Sequence, residues 1–221
     1  MTAGAAVVPG QLPVPGIDRR AVRPLFGFAI DIPEPWIVLD LDPRTSARWV
    51  RQLVRRREAG TRRTAREAWA AAAVVRDVIA ALQAQGVLLA AILAGRMGEE
   101  VVGASITLGW ERSPSSVNLD ALGLSLARAS PGADELVQHR RVDLVAVSDR
   151  EAVRMRGREQ ARVPGSTTRR EVVLHQLFVP VDDPTWLAVV TATTGLLQLG
   201  DVVGEAALHV AGSLRTGNAA G

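Results

Sequence analysis

From Phe26 onward the apolar positions alternate. Phe26, Phe28 and Ile30 are separated by smaller residues, and a second apolar run, "WIVLDL" (36–41), follows a Pro-x-Pro corner at Pro33 and Pro35. That period predicts two short strands. Asp42 and Pro43 then supply a capping residue and a proline suited to a first helical position. The period changes to that of a helix, with Trp49, Val50, Leu53 and Val54 on one side, and Gly60 predicts its end. Thr61 can cap a second helix running to about Gln85, with Ala65, Ala68, Trp69, Ala72, Val75, Ile79 and Leu82 as its inward stripe and Gly86 just past its end.

Beyond Gly86 the β pattern returns. "VLLAAILAG" and "EVVGASITLGW" predict a hairpin turning at Arg96–Glu99. Asn118 caps a short helix to about Ala129, and the runs "RRVDLVAV", "EAVRMRGREQ", "EVVLHQLFVPV" and "TWLAVVTATT" predict four more strands. "GDVVGEAALHVAGSLR" predicts a closing amphipathic helix. The order β-β-α-α-β-β-α-β-β-β-β-α, with short turns between strands, implies an α+β fold with a central, mainly antiparallel sheet covered by helices. Residues 1–22 are Pro/Gly/Ala-rich and predict a disordered tail, residues 23–215 a single domain, and 216–221 a second loose end.

Composition narrows the function. All 26 basic residues are arginine, which drives the isoelectric point to about 10.9 although the net charge is only +3. That charge is a weak general pull on nucleic acid or anionic lipid. With no cysteine, thiolate catalysis, disulfides and cysteine-based zinc sites are excluded. The proline-broken start lacks a signal-peptide pattern, and "VIAALQAQGVLLAAILAG" (78–95) is interrupted by Gln83, Gln85 and Gly86, so a cytoplasmic chain without a membrane span is expected.

Two features of the order carry a resemblance. Phe28, Ile30, Ile32, Pro33 and Trp36 form an F-x-I-x-I-P-x-x-W run, and Phe178, Val179, Pro180 and Val181 form a late F-V-P-V run before the last helix. With the helical pair and hairpin between them, this layout resembles the PsbP-like fold, shared by a photosystem II extrinsic protein and the Ran-binding Mog protein. It is also similar to uncharacterised proteins of GC-rich actinobacteria, some encoded near type VII secretion genes. The resemblance, over about residues 25–215, implies α/β/α layers and a binding or assembly role. It brings no active site with it.

Catalytic templates are missing from the residues themselves. His139, His175 and His209 have no metal-ligand spacing, and no G-x-S-x-G is present. The glycines of "GRMGEEVVG" (95–103) are hairpin punctuation and do not form a phosphate loop. His175, between Val173 and Leu177, reads as a core or edge histidine. No cofactor, no metal and no enzymatic activity are expected, and the predicted partner is another protein.

The candidate contact residues are arginines. Arg44, Arg48, Arg51 and Arg55 recur at i, i+4, i+7 and i+11, opposite the Trp49–Val54 stripe. They are either the wet side of an amphipathic helix or a docking surface for an acidic partner. Arg62, Arg63 and Arg66 open the next helix, where the helix dipole does not favour cations. Arg154, Arg156 and Arg158 alternate along one strand and share a sheet face, with Glu151 and Glu159 as nearby acids. The plain reading is an exposed strand protected by charge from edge pairing. The sharper one joins this ladder to the helical row as one interaction surface. Electrostatic nucleic-acid binding through residues 44–66 is the alternative function, although Trp49 and Trp69 are assigned inward, away from any stacking role.

Overall fold

In the computed structural model the alternation at the start of the chain is a buried edge of the core. The structure describes residues 3–7, 24, 26–58, 65–97, 100–113, 116–128, 138–162 and 169–217. Strand β2 (Gly27–Ile32) buries Phe28, Ile30 and Ile32 and belongs to a three-stranded sheet, flanked by β1 (Ala3–Val7) and β10 (Arg215–Gly217). Both flanking strands fall partly or wholly in segments expected to be loose. The Ala-rich β1 and the three-residue β10 carry no strand signal of their own, and both pair with β2.

The main sheet is antiparallel throughout, in the order β3-β4-β5-β9-β8-β7-β6. Its members are β3 (Ile37–Val38), β4 (Leu89–Met97), β5 (Glu100–Arg112), β6 (Gln138–Val147), β7 (Arg150–Arg162), β8 (Arg169–Pro180) and β9 (Trp186–Thr194). Helices α1 (Ser46–Glu58), α2 (Ala65–Ala84), α3 (Leu119–Arg128) and α4 (Gly200–Gly212) cover it. The α+β class and antiparallel sheet expected from the pattern are those observed.

Side-chain parity divides the helices between the two faces. On β9, Trp186, Ala188, Val190 and Ala192 share a core with Val203, Ala207 and Val210 of α4, whereas Leu187 and Val189 share one with Leu122 and Leu126 of α3. On β4, Leu89 and Ala91 belong to the α4 side, and Ala90 packs with Val50 of α1 and Ile79 of α2. Register carries Ala90 across the sheet to Thr107, Thr191, Gln176 and Met155, and Met155 lies in the α3 core. Thus α1, α2 and α3 lie on one face and α4 on the other.

Local chemistry explains the helix ends. The main-chain oxygen of Asp42 accepts from the Ser46 N–H at 2.8 Å, so the first turn forms just ahead of α1. Gly86, at φ +70°, follows α2, and the Val87 and Gly86 N–H groups donate to the Leu82 and Gln83 carbonyls. That is the two-bond arrangement that closes a helix on a left-handed residue. The Asn118 side chain accepts from the Ala121 N–H at 2.9 Å, capping α3 as its sequence predicts.

Candidate functional site

Of the helical arginines the structure describes the row along α1 and the turn before it. Arg44 sits in the turn before α1, its N–H held at 2.9 Å by the Asp42 carboxylate. Arg48, Arg51 and Arg55 run along the exposed side of α1, as an amphipathic helix requires with Val50 buried beneath. Arg62 and Arg63, with Gly60 and Thr61, lie outside the described residues, as does the side chain of Arg66.

Trp69 corrects the inward assignment made from sequence. It is 70% exposed, with the Arg76 guanidinium 5.9 Å from its ring centroid. The buried line of α2 runs through Ala72, Val75, Ile79 and Leu82. At about 100° per residue, Trp69 stands roughly 100° off the middle of that line, on the flank that also carries Arg76. A tryptophan three residues ahead of an alanine in the stripe was assigned inward on its hydrophobicity, and geometry places it outside.

The strand arginines are brought together. Arg154, Arg156 and Arg158 share the face of Ala152, the α4 side of the sheet. The expected protective edge is one strand further out: β7 lies between β6 and β8, and β6 is the edge. The strand's own acids, Glu151 and Glu159, alternate to the opposite parity from the ladder. Arg154 and Arg158 meet carboxylates of the neighbouring strands. Asp143 of β6, directly across from Arg154, accepts from its Nη2 at 2.6 Å and Nε at 3.2 Å. Those hydrogen bonds lead the effects that hold the Asp143 carboxyl below its ordinary range, and they hold the Arg154 guanidinium even more firmly protonated. Glu171 of β8 meets Arg158 at 3.6 Å.

Arg141 and Arg156 are directly opposed across β6 and β7. Among the described residues neither has a carboxylate within ion-pair distance. They wall an open cleft of about 480 Å³ together with Arg158, Val173, His175 and the start of α4 at Gly200 and Asp201. At the helix start the Gly200 N–H donates to the Leu197 carbonyl of a preceding 3-10 turn, Leu197–Leu199.

The cleft depends on how closely α4 approaches β8. A Cβ on Gly200 would lie 3.2 Å from a Val173 methyl, and one on Gly204 would lie 2.7 Å from His175 Cε1. Gly200 and Gly204, one helical turn apart, therefore lay a flat strip of α4 against alternate residues of β8. His175 is 8% exposed. Its burial, and then the Arg154 and Arg156 guanidiniums, hold its imidazole below the ordinary value of 6.5, against a smaller pull from the Gly200 backbone and Asp201. The sequence makes His175 a core or edge histidine; it is buried, on an interior strand, beside a cleft that periodicity does not reveal. The available signal was the glycine pair in "GDVVG".

A pH prediction follows from His175. Because its folded value is depressed, the unfolded chain binds the extra proton, and stability is complete above about 6.5 and lost as pH falls below it. Urea midpoints at pH 8 and pH 5.5 are expected to separate in the native chain, and to separate less in His175→Leu. Equal separation in both would remove His175 as the cause.

The structure does not unite the two arginine groups. The α1 row lies on the α1–α3 face beside β4, whereas the ladder lies on the α4 face at β7, near the other end of the sheet. A single surface built from both is excluded.

No family model matches the chain, and no curated protein does. Among solved structures it is similar to "Crystal structure of LpqN involved in cell envelope biogenesis of Mycobacterium tuberculosis". The identity is 10% and the TM-score 0.43, over 97% of this chain and 91% of that one. At that level the likeness assigns this chain no ligand, partner or activity. Among the described residues no helix is long and apolar enough to cross a membrane, and no three His, Asp or Glu side chains are grouped to hold a metal ion.

Proposed function

We propose that this chain is a non-catalytic binding protein that docks an acidic segment of a protein partner on the basic face of β6, β7 and the start of α4. One observation carries the reading: Arg141 and Arg156 oppose each other on adjacent strands, in an open cleft, with no carboxylate within ion-pair distance among the described residues and only the longer-range pull of Asp143, which is itself bonded to Arg154. Like charges held directly across a sheet oppose its pairing, and an incoming acidic group removes that opposition while gaining charge-assisted hydrogen bonds. The PsbP-like layout of the Phe28–Trp36 and Phe178–Val181 runs supports a binding role, since the known members with that layout bind or assemble.

Trp69 keeps the nucleic-acid alternative in play, because an exposed indole beside an arginine-rich helix pair is a stacking platform. Anisotropy titrations at two salt concentrations separate the two readings, using a labelled glutamate-rich peptide and a single-stranded oligonucleotide. The peptide is expected to bind the native chain and Arg48→Glu/Arg51→Glu, and to lose binding in Arg141→Glu/Arg156→Glu. Oligonucleotide binding that falls steeply with salt and vanishes only in the α1 variant would establish the alternative. Failure of the peptide to bind at low salt would reject the proposal.

A further inference from the structure

The α4-side cleft also contains its own measure of which anion fits. Among the described residues the charged groups facing it come from four elements. β6 contributes Arg141 and Asp143, β7 contributes Arg154, Arg156 and Arg158, and β8 contributes Glu171 and His175. From α4 come Asp201 at the rim and Glu205, which acts on Arg154. Two of the four guanidiniums already have a carboxylate: Arg154 has Asp143 and Arg158 has Glu171. The Arg154–Asp143 pair shows what one carboxylate does in this setting. Its two oxygens take the Nε and Nη2 of one guanidinium side-on, one carboxylate charge set against one cation.

Arg141 and Arg156 remain, with Cα atoms about 4.5–5.5 Å apart as antiparallel register partners and both side chains on the cleft face. Two neighbouring guanidiniums carry two charges and about ten N–H donors. A group with one charge offsets one of the two. A group with three terminal oxygens and nearly two charges serves both.

We infer that the cleft is built for a phosphate monoester dianion carried by a protein segment, in preference to a plain carboxylate; this rests on the binding reading proposed above. His175 completes the site. It stands across from Arg156 at the cleft wall, with its imidazole held neutral partly by the positive charge beside it. A dianion between Arg141 and Arg156 offsets that charge, so binding draws a proton onto the ring and adds a donor. Asp201 at the rim opposes the ligand and limits its affinity.

The test uses the full chain and two labelled peptides of one acidic sequence, with and without a phosphoserine. The phosphopeptide is expected to bind about tenfold more tightly or better, an advantage that inorganic phosphate competes for and acetate at equal ionic strength does not. Arg156→Gln and Arg141→Gln should each erase the advantage, checked against retained thermal unfolding, and Asp201→Asn should enlarge it. By NMR, saturating inorganic phosphate should raise the His175 titration midpoint. Equal affinity for the two peptides overturns the phosphate inference and leaves the acidic-segment reading standing. If neither peptide binds, both fall. Tighter binding to vesicles containing phosphatidic acid than to the phosphopeptide overturns the assignment to a protein segment, and an unmoved His175 midpoint overturns its place in the site.

Discussion

Leu177→Ala is expected to lower the unfolding free energy by about 2–5 kcal/mol, the cost of a large-to-small change where neighbours cannot collapse. Leu177 has no exposed surface and sits on β8 between Val190 of β9 and Arg154 of β7. It lies in the same core as Val203, Ala207 and Val210 of α4, so three elements border the void. The cleft suffers with the core, because His175 is the next residue on the same face of β8. Denaturant unfolding is expected to show a lower midpoint with an unchanged slope. Leu144→Ala on the edge strand β6, where the side chain is 43% exposed, is the contrasting case and should stay within about 0.5 kcal/mol. Similar losses for the two would contradict the placement of the core.

Gly204→Ala is expected to destabilise the fold by about 1–3 kcal/mol through overpacking. The new methyl would stand 2.7 Å from His175 Cε1 and 2.9 Å from Nδ1, and those are ring atoms with no flexible end to swing away. Alanine is the better helix former, so helix propensity predicts the opposite sign, by about 1 kcal/mol. Contact wins here because a buried ring must move, or α4 must lift from β8. Either response alters the cleft. Thermal unfolding measures the first effect, and the double variant Gly204→Ala/His175→Ala distinguishes the cause. If the clash is responsible, the alanine at 204 costs much less once the ring is gone. A full penalty in the His175→Ala background would point to the helix itself.

Much of the fold was legible because its information is local. Gly86 and Asn118 act within a few residues of themselves, and their helix ends fall where the sequence places them, while α1 begins at Ser46, past the expected first position at Pro43, after a turn closed on the Asp42 carbonyl. The strands from Gln138 to Thr194 declare themselves by period and composition. The site was less legible because it depends on pairing between distant strands. Alternation assigns Arg154, Arg156 and Arg158 to one face but does not say which strand lies beside them. Hence the sequence alone makes β7 an exposed edge, offers Glu151 and Glu159 as the nearby acids, and gives Arg141 no distinction. It becomes notable only when register sets it opposite Arg156, and β6 reaches that register through an irregularity between Gln138 and Arg141. Trp69 escaped for a different reason. Near the flank of a helix, hydrophobicity and angle disagree, and angle decides.

The order of strands in the main sheet also bears on how quickly the chain can find it. From β6 to β9 neighbours in sequence are neighbours in space, so that half can assemble by closing short loops. Joining it to β4 and β5 requires β5 to meet β9, and the bonds between them span 84 to 91 positions. The Ser213 hydroxyl reaches the Asp31 N–H across 182. Contacts of such high order are made late, after the chain has lost the entropy needed to bring them together. The arginine cleft belongs almost wholly to the quick half, while the β2 seam and the β5–β9 joint set the pace of folding.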